Sequence, residues 1–183
     1  TFAANSQTPL AIVKIAFSGT HVAGDWDPEL STDDPATSAQ DSRGACYRSL
    51  VDETTNALRE LSKTHQTHVI AMVWVQGESD ANAERSAAYQ QNIAKMISSL
   101  RTDLNAPELI VLLGVNTNFG GGNNKYLPQV IAAQKAFADQ DSNTLYVDTE
   151  GATIANNAHF DAAGTIEVGE RFARALQTLL VGQ

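Results

Sequence analysis

The sequence predicts an α/β protein, a three-layer α/β/α sandwich around a parallel sheet. Two patterns carry that expectation. Short apolar, β-branched runs alternate four times with longer segments whose apolar residues recur at helical spacing. Strands that are each followed by a helix-length crossover pair in parallel, are covered on both faces, and connect with right-handed crossovers.

The elements follow in order. Ala11 to Phe17 is short, apolar and β-branched, and reads as a strand. Ala45 to Thr64 reads as a helix with a stripe of Leu50, Val51, Leu58 and Leu61. Val69 to Val75 is the second strand. Ala83 to Leu104 sets Tyr89, Ile93, Met96, Ile97, Leu100 and Leu104 on one helical face. Leu109 to Val115 is the third strand. Leu127 to Ala138 is helical, with Val130, Ala133 and Phe137 directed inward. Thr144 to Asp148 is a fourth, shorter strand. Ala162 to Leu180 closes the chain, with Ile166, Phe172, Ala173, Leu176 and Leu180 as its stripe. Two long loops interrupt this rhythm, Ser18 to Gly44 and Asn116 to Lys125. The second carries Gly120-Gly121-Gly122, either a functional loop or a flexible connector. No phosphate-binding fingerprint is present.

At 183 residues and 43% apolar content, the chain suits a single domain over residues 1–183 with a full core. No apolar run approaches the roughly 18 residues a membrane span needs. The net charge is −9 and the pI about 4.7, and the 12 cationic residues are scattered. Phosphate binding rests on clustered Lys and Arg, so nucleic acid is not expected as a partner. One cysteine, Cys46, excludes an internal disulfide. The acidic, lysine-poor composition points to a secreted or cell-surface setting, or a periplasmic one. The chain begins at Thr1 rather than Met, which suggests processing or trimming.

Polar residues gather at the ends of the apolar runs, where α/β proteins place their ligand sites. Trp74-Val75-Gln76-Gly77-Glu78-Ser79-Asp80 takes a buried strand straight into a polar turn. The Gln76 amide can donate to a developing oxyanion. Glu78 can orient a histidine or hold the loop together. Ser79 or Asp80 can cap the following helix. Ser18-Gly19-Thr20-His21 follows the first apolar run, with the Gly19 N–H available to an anion. Thr20, His21 and Trp26 are substrate-side candidates, and Trp26 reads equally well as a lid over the core. His159 stands at a loop-to-helix junction and can act as a general base, while Asp161 can cap the last helix. His65 and His68 lack a third ligand and read as structural or solvent-facing.

Together these residues resemble the SGNH-hydrolase superfamily, in particular the branch of sialate O-acetylesterases and the acetylxylan esterases of carbohydrate esterase family six. The likeness rests on Ile12 to Thr20, on Trp74 to Asp80, and on His159-Phe160-Asp161-Ala162-Ala163-Gly164 running on to Gly169-Glu170-Arg171-Phe172-Ala173. The resemblance implies a flavodoxin-like fold and serine-type removal of acetyl groups from carbohydrates. It implies His159 as base, Gly19 and Gln76 as oxyanion donors, and no metal or organic cofactor. Two departures stand out. The Gly-Gln-Ser-Asn motif that holds the nucleophile in such proteins is absent, and with it the first, central strand. The expectation is therefore a domain incomplete at its N-terminus, its strand and serine supplied by a missing segment or a second polypeptide. Asn156 also stands where an acid is usual, which leaves Glu78 as the candidate orienting acid. The alternative is a non-catalytic glycan-binding or surface-assembly module.

Overall fold

The computed structural model describes residues 9–30 and 43–181. Residues 31–42, in the first long loop, lie outside the described residues. The chain divides into two compact units. One is built mainly from residues 71–87 and 110–181, the other from residues 11–30, 43–70 and 88–109.

The first unit holds the sheet. Strands β1 (Ala71–Val75), β2 (Ile110–Gly114) and β3 (Thr144–Tyr146) pair in parallel in the order β1-β2-β3. The register sets Val73 opposite Leu112, Val75 opposite Gly114, and Leu113 opposite Tyr146. Side chains alternate along a strand, so Ile110 and Leu112 share one face. There they meet Val147, Ala152, Val168 and Phe172 in one buried cluster. Val168 and Phe172 belong to the closing helix, α4 (Ala162–Val181). The helix α3 (Leu127–Ala138) lies against β2 and β3. It begins with Pro128 in its first turn, where a missing N–H costs nothing. Its Gln134, fully buried, donates Nε2 to the Gln76 carbonyl at 2.9 Å.

The second unit holds α1 (Ala45–Leu61) and α2 (Tyr89–Asp103), which lie against each other. The Tyr47 hydroxyl donates to the Asp103 carboxylate at 2.6 Å. Tyr89, Ile93, Met96, Ile97 and Leu100 are all buried, as the helical spacing predicts. Leu104, the last of that series, is only half-buried. In α1 the buried residues are Ala45, Cys46, Tyr47 and Thr54, with the expected leucine stripe half-buried.

Four expectations are corrected. Residues 11–17 form no strand; they run as an irregular segment with Ile12 82% exposed. A strand needs a hydrogen-bonding neighbour, and none of the described residues pairs with this segment. Ile166 lies outside the buried stripe of α4 and is 66% exposed. The buried face instead starts at Gly164, where a Cβ would lie 2.1 Å from the Thr153 carbonyl oxygen. Helix α2 starts at Tyr89 rather than Ala83, after a 3₁₀ turn at Ser86–Ala88. The capping side chain of that entry is Asn82, whose Oδ1 accepts the N–H groups of Glu84 and Arg85 at 3.0 Å each. Ala88, at the start of α2, makes no side-chain capping hydrogen bond, so neither Ser79 nor Asp80 caps that helix.

Candidate active site

In the first unit the chain leaves β1 through Gln76 and Gly77. The Gln76 N–H donates to the Gly114 carbonyl at 3.1 Å, so the turn starts as a continuation of the sheet. Gly77 then adopts φ 142°, and a Cβ there would lie 2.7 Å from Val130 Cγ1. Only glycine lets the backbone pass this close to α3. The Gln76 side chain turns toward Asp80, with Nε2 donating to Oδ2 at 2.6 Å. A carboxylate only accepts, so this contact fixes which end of the Gln76 amide carries the donors. Asp80 is fully buried and thus orients Gln76.

Glu78 lies beside this pair. Its Oε1 accepts the Asn116 N–H at 2.9 Å. Burial pushes its carboxyl above the usual range and the nearby Asp80 charge adds to that, while hydrogen bonds from Asn116 and other backbone N–H groups pull the other way.

His159 sits in a tight turn closed by an antiparallel bridge between Ile154 and Phe160 and by the Ala155 N–H donating to the His159 carbonyl at 2.9 Å. Asn156 organises its interior. Its Oδ1 accepts the N–H of Ala158 at 2.8 Å and of His159 at 3.0 Å. The His159 Nδ1 lies 3.1 Å from the same oxygen. Two backbone donors establish that atom as oxygen, and a carbonyl oxygen cannot donate. His159 Nδ1 therefore carries a proton, so that in the neutral ring Nε2 is the basic site. His159 is exposed. Asp161 caps α4, accepting the Gly164 N–H at 2.7 Å, and that bond chiefly holds its carboxyl below the usual range.

The loop after β2 grips the His159 turn. Asn116 Nδ2 donates to the Ala158 carbonyl at 3.2 Å, Asn118 Nδ2 to the Ala152 carbonyl at 3.0 Å, and the Gly120 N–H to the Asn157 carbonyl at 2.7 Å. Gly120, Gly121 and Gly122 all have positive φ. Within this unit the structure thus links Glu78 to the His159 turn through Asn116.

The second unit carries Gly19, Thr20, His21 and Trp26. Gly19 has φ 74° with open space where a Cβ would stand, so conformation, not crowding, calls for glycine. Thr20, His21 and Trp26 are buried. Trp26 Nε1 donates to Thr20 Oγ1 at 2.9 Å, and its ring tilts against Phe17 at 6.2 Å. The His21 N–H donates to Asp25 Oδ2 at 2.8 Å, and its Nε2 lies 3.6 Å from the same oxygen. These side chains face protein.

Residues 1–178 match the carbohydrate esterase, sialic acid-specific acetylesterase family. The chain belongs to that family. A probable carbohydrate esterase of Arabidopsis thaliana is 33% identical over 107 residues, which are 57% of this chain and 39% of that protein. The X-ray structure of an Arabidopsis thaliana protein superposes with a TM-score of 0.62 at 26% identity, covering 73% of this chain and 52% of that one. The chain thus spans about half or less of the length of the relatives it matches. With the parallel sheet and its helices, the likeness agrees with an SGNH-like α/β fold.

Sequence reasoning missed Asn116, Asn118 and Gln134. The signal for Asn116 was present, because it directly follows the apolar run ending at Val115, as Gln76 follows Val75. A polar group at a buried strand end costs desolvation unless paired.

Proposed function

We propose that this chain forms part of a serine-type carbohydrate O-acetylesterase, with His159 as its general base. The observation that carries this is the His159–Asn156 geometry, which holds an exposed histidine with Nδ1 as donor, so that Nε2 is the basic nitrogen of the neutral ring. In the proposed reaction a serine hydroxyl passes its proton to Nε2 as its oxygen attacks the acetyl carbonyl. The oxyanion takes hydrogen bonds from the Gln76 amide, which Asp80 orients. As the tetrahedral intermediate collapses, Nε2 returns the proton to the departing sugar oxygen. Water, deprotonated by the same nitrogen, then attacks the acetyl-serine, and Nε2 returns that proton to the serine oxygen as acetate leaves. Asn156 supplies orientation without charge, so the imidazolium formed in each step is less stabilised than beside a carboxylate.

The nucleophile is proposed to come from outside residues 1–183, on a strand that pairs with the outer edge of β1. Val73 and Val75 support this reading: they are 54% and 43% exposed on the sheet face where Leu112 is buried. Sialate esters and acetylated xylan are the proposed substrate classes, and a secreted setting the proposed location.

The test is hydrolysis of 4-nitrophenyl acetate and of acetylated glycans by the full polypeptide, together with labelling by a serine-directed phosphonate. The expected outcome is turnover, with the label on a serine outside residues 1–183. A folded protein that turns over neither ester would favour the glycan-binding module instead, a reading that Asn156 supports.

A further inference from the structure

The peptide unit joining Ala158 to His159 is held from both sides. Its N–H, on His159, donates to Asn156 Oδ1 at 3.0 Å. Its carbonyl, on Ala158, accepts from Asn116 Nδ2 at 3.2 Å. A planar peptide fixed at both polar ends has little freedom to rotate, and the His159 Cα is attached to it directly. Asn116 is itself immobilised: it is 2% exposed, its N–H donates to Glu78 Oε1 at 2.9 Å, and its Oδ1 accepts the Asn118 N–H at 3.0 Å. Its backbone carbonyl accepts the Phe119 N–H at 3.0 Å, so all four of its polar groups are engaged.

We propose that Asn116 is a positioning residue for His159, aiming the imidazole by clamping the 158–159 peptide to the end of β2 and to Glu78. The inference rests on His159 being the base. The neighbouring contacts provide a built-in control. Asn118 Nδ2 also ties the β2 loop to the His159 segment, but at Ala152, seven positions before the histidine. Its loss should loosen the loop without turning the imidazole.

The experiment compares Asn116→Asp, Asn116→Ala and Asn118→Ala in the full polypeptide. Asn116→Asp is nearly isosteric. It keeps the acceptor for the Asn118 N–H, but sets a carboxylate oxygen against the Ala158 carbonyl and adds a charge near Glu78, whereas the alanine variant removes the donor without adding charge, so the two variants check each other. Both Asn116 variants are expected to lower kcat by roughly 10- to 100-fold with KM within about twofold, the scale of a small misplacement of a reacting group. Asn118→Ala is expected to leave kcat within about threefold at a comparable loss of stability. Nitrogen-15 NMR of the imidazole reads the same event without activity: the His159 signals should move from one defined tautomer toward a mixture in the Asn116 variants alone. An unchanged His159 spectrum in Asn116→Asp overturns the proposal, as does an equal kcat loss in Asn118→Ala. If the protein hydrolyses no ester yet the His159 spectrum shifts as described, the esterase reading fails and the positioning of His159 by Asn116 stands.

Discussion

His21 and His159 make opposite use of the same side chain. His21 is buried, with Asp25 Oδ2 accepting its backbone N–H and lying 3.6 Å from its Nε2. His159 is exposed and held at Nδ1 by a neutral amide oxygen. A histidine beside an acid would ordinarily attract the catalytic reading, yet here that pair is buried. The comparison shows that access and a defined tautomer, more than a carboxylate, mark the residue able to exchange protons with a ligand. The resulting prediction is a double dissociation between activity and stability.

The largest effect is expected for His159→Ala. Esterase activity should fall by about 10³-fold or more, as when a triad base is removed. Stability should move by less than about 0.5 kcal/mol, because the ring is exposed. Urea denaturation beside kcat/KM checks both, and a strongly destabilised variant would break the comparison. His21→Ala should show the reverse pattern, losing about 2–4 kcal/mol through the cavity left by a buried ring. Gly77→Ala comes next, with a loss of about 1–3 kcal/mol from overpacking against Val130, read by thermal denaturation. Asn156→Asp would give His159 the kind of partner His21 has. It should raise kcat on the order of tenfold by stabilising the imidazolium, and unaltered kinetics would show that charge at this position is irrelevant.

The smallest effect concerns Glu78. Burial holds its carboxyl above the usual range, so the folded state binds that proton more tightly than the unfolded chain. The penalty is fully present at neutral pH and disappears as pH falls below the usual carboxylate range. Glu78→Gln retains an acceptor for the Asn116 N–H. It should therefore raise the melting temperature at pH 7 and leave it unchanged near pH 4, as followed by melting temperature against pH. If esterase activity is unchanged in that variant, Glu78 has no part in orienting His159.

Much of the fold was legible because helical periodicity is a local property. The Tyr89 to Leu100 face and the limits of α3 follow from spacing and from Pro128. Pairing is not local. Residues 11–17 have the composition of a strand, but composition does not supply a neighbour. Ile166 misled for a related reason: the face of α4 is set by the close approach of Gly164 to Thr153, which hydropathy does not record. In the site, Gln76, Glu78 and His159 stood out by residue type and by resemblance. Asn116 did not, since a lone amide in an asparagine-rich stretch carries no periodic signal. Its importance comes from contacts with residues 38 and 42 positions away.

Among the described residues no strand pairs with the outer side of β1, which bears on how this chain behaves in solution when that side is uncovered. Val73 and Val75 give it an apolar margin, and parallel edges of this kind invite copies to stack. At neutral pH the net charge of −9 keeps copies apart. Salt screens that repulsion within about 10 Å at 0.1 M. Colloidal stability should therefore be lowest in concentrated salt and near the pI of about 4.7, where acidic storage would remove the protection that composition provides.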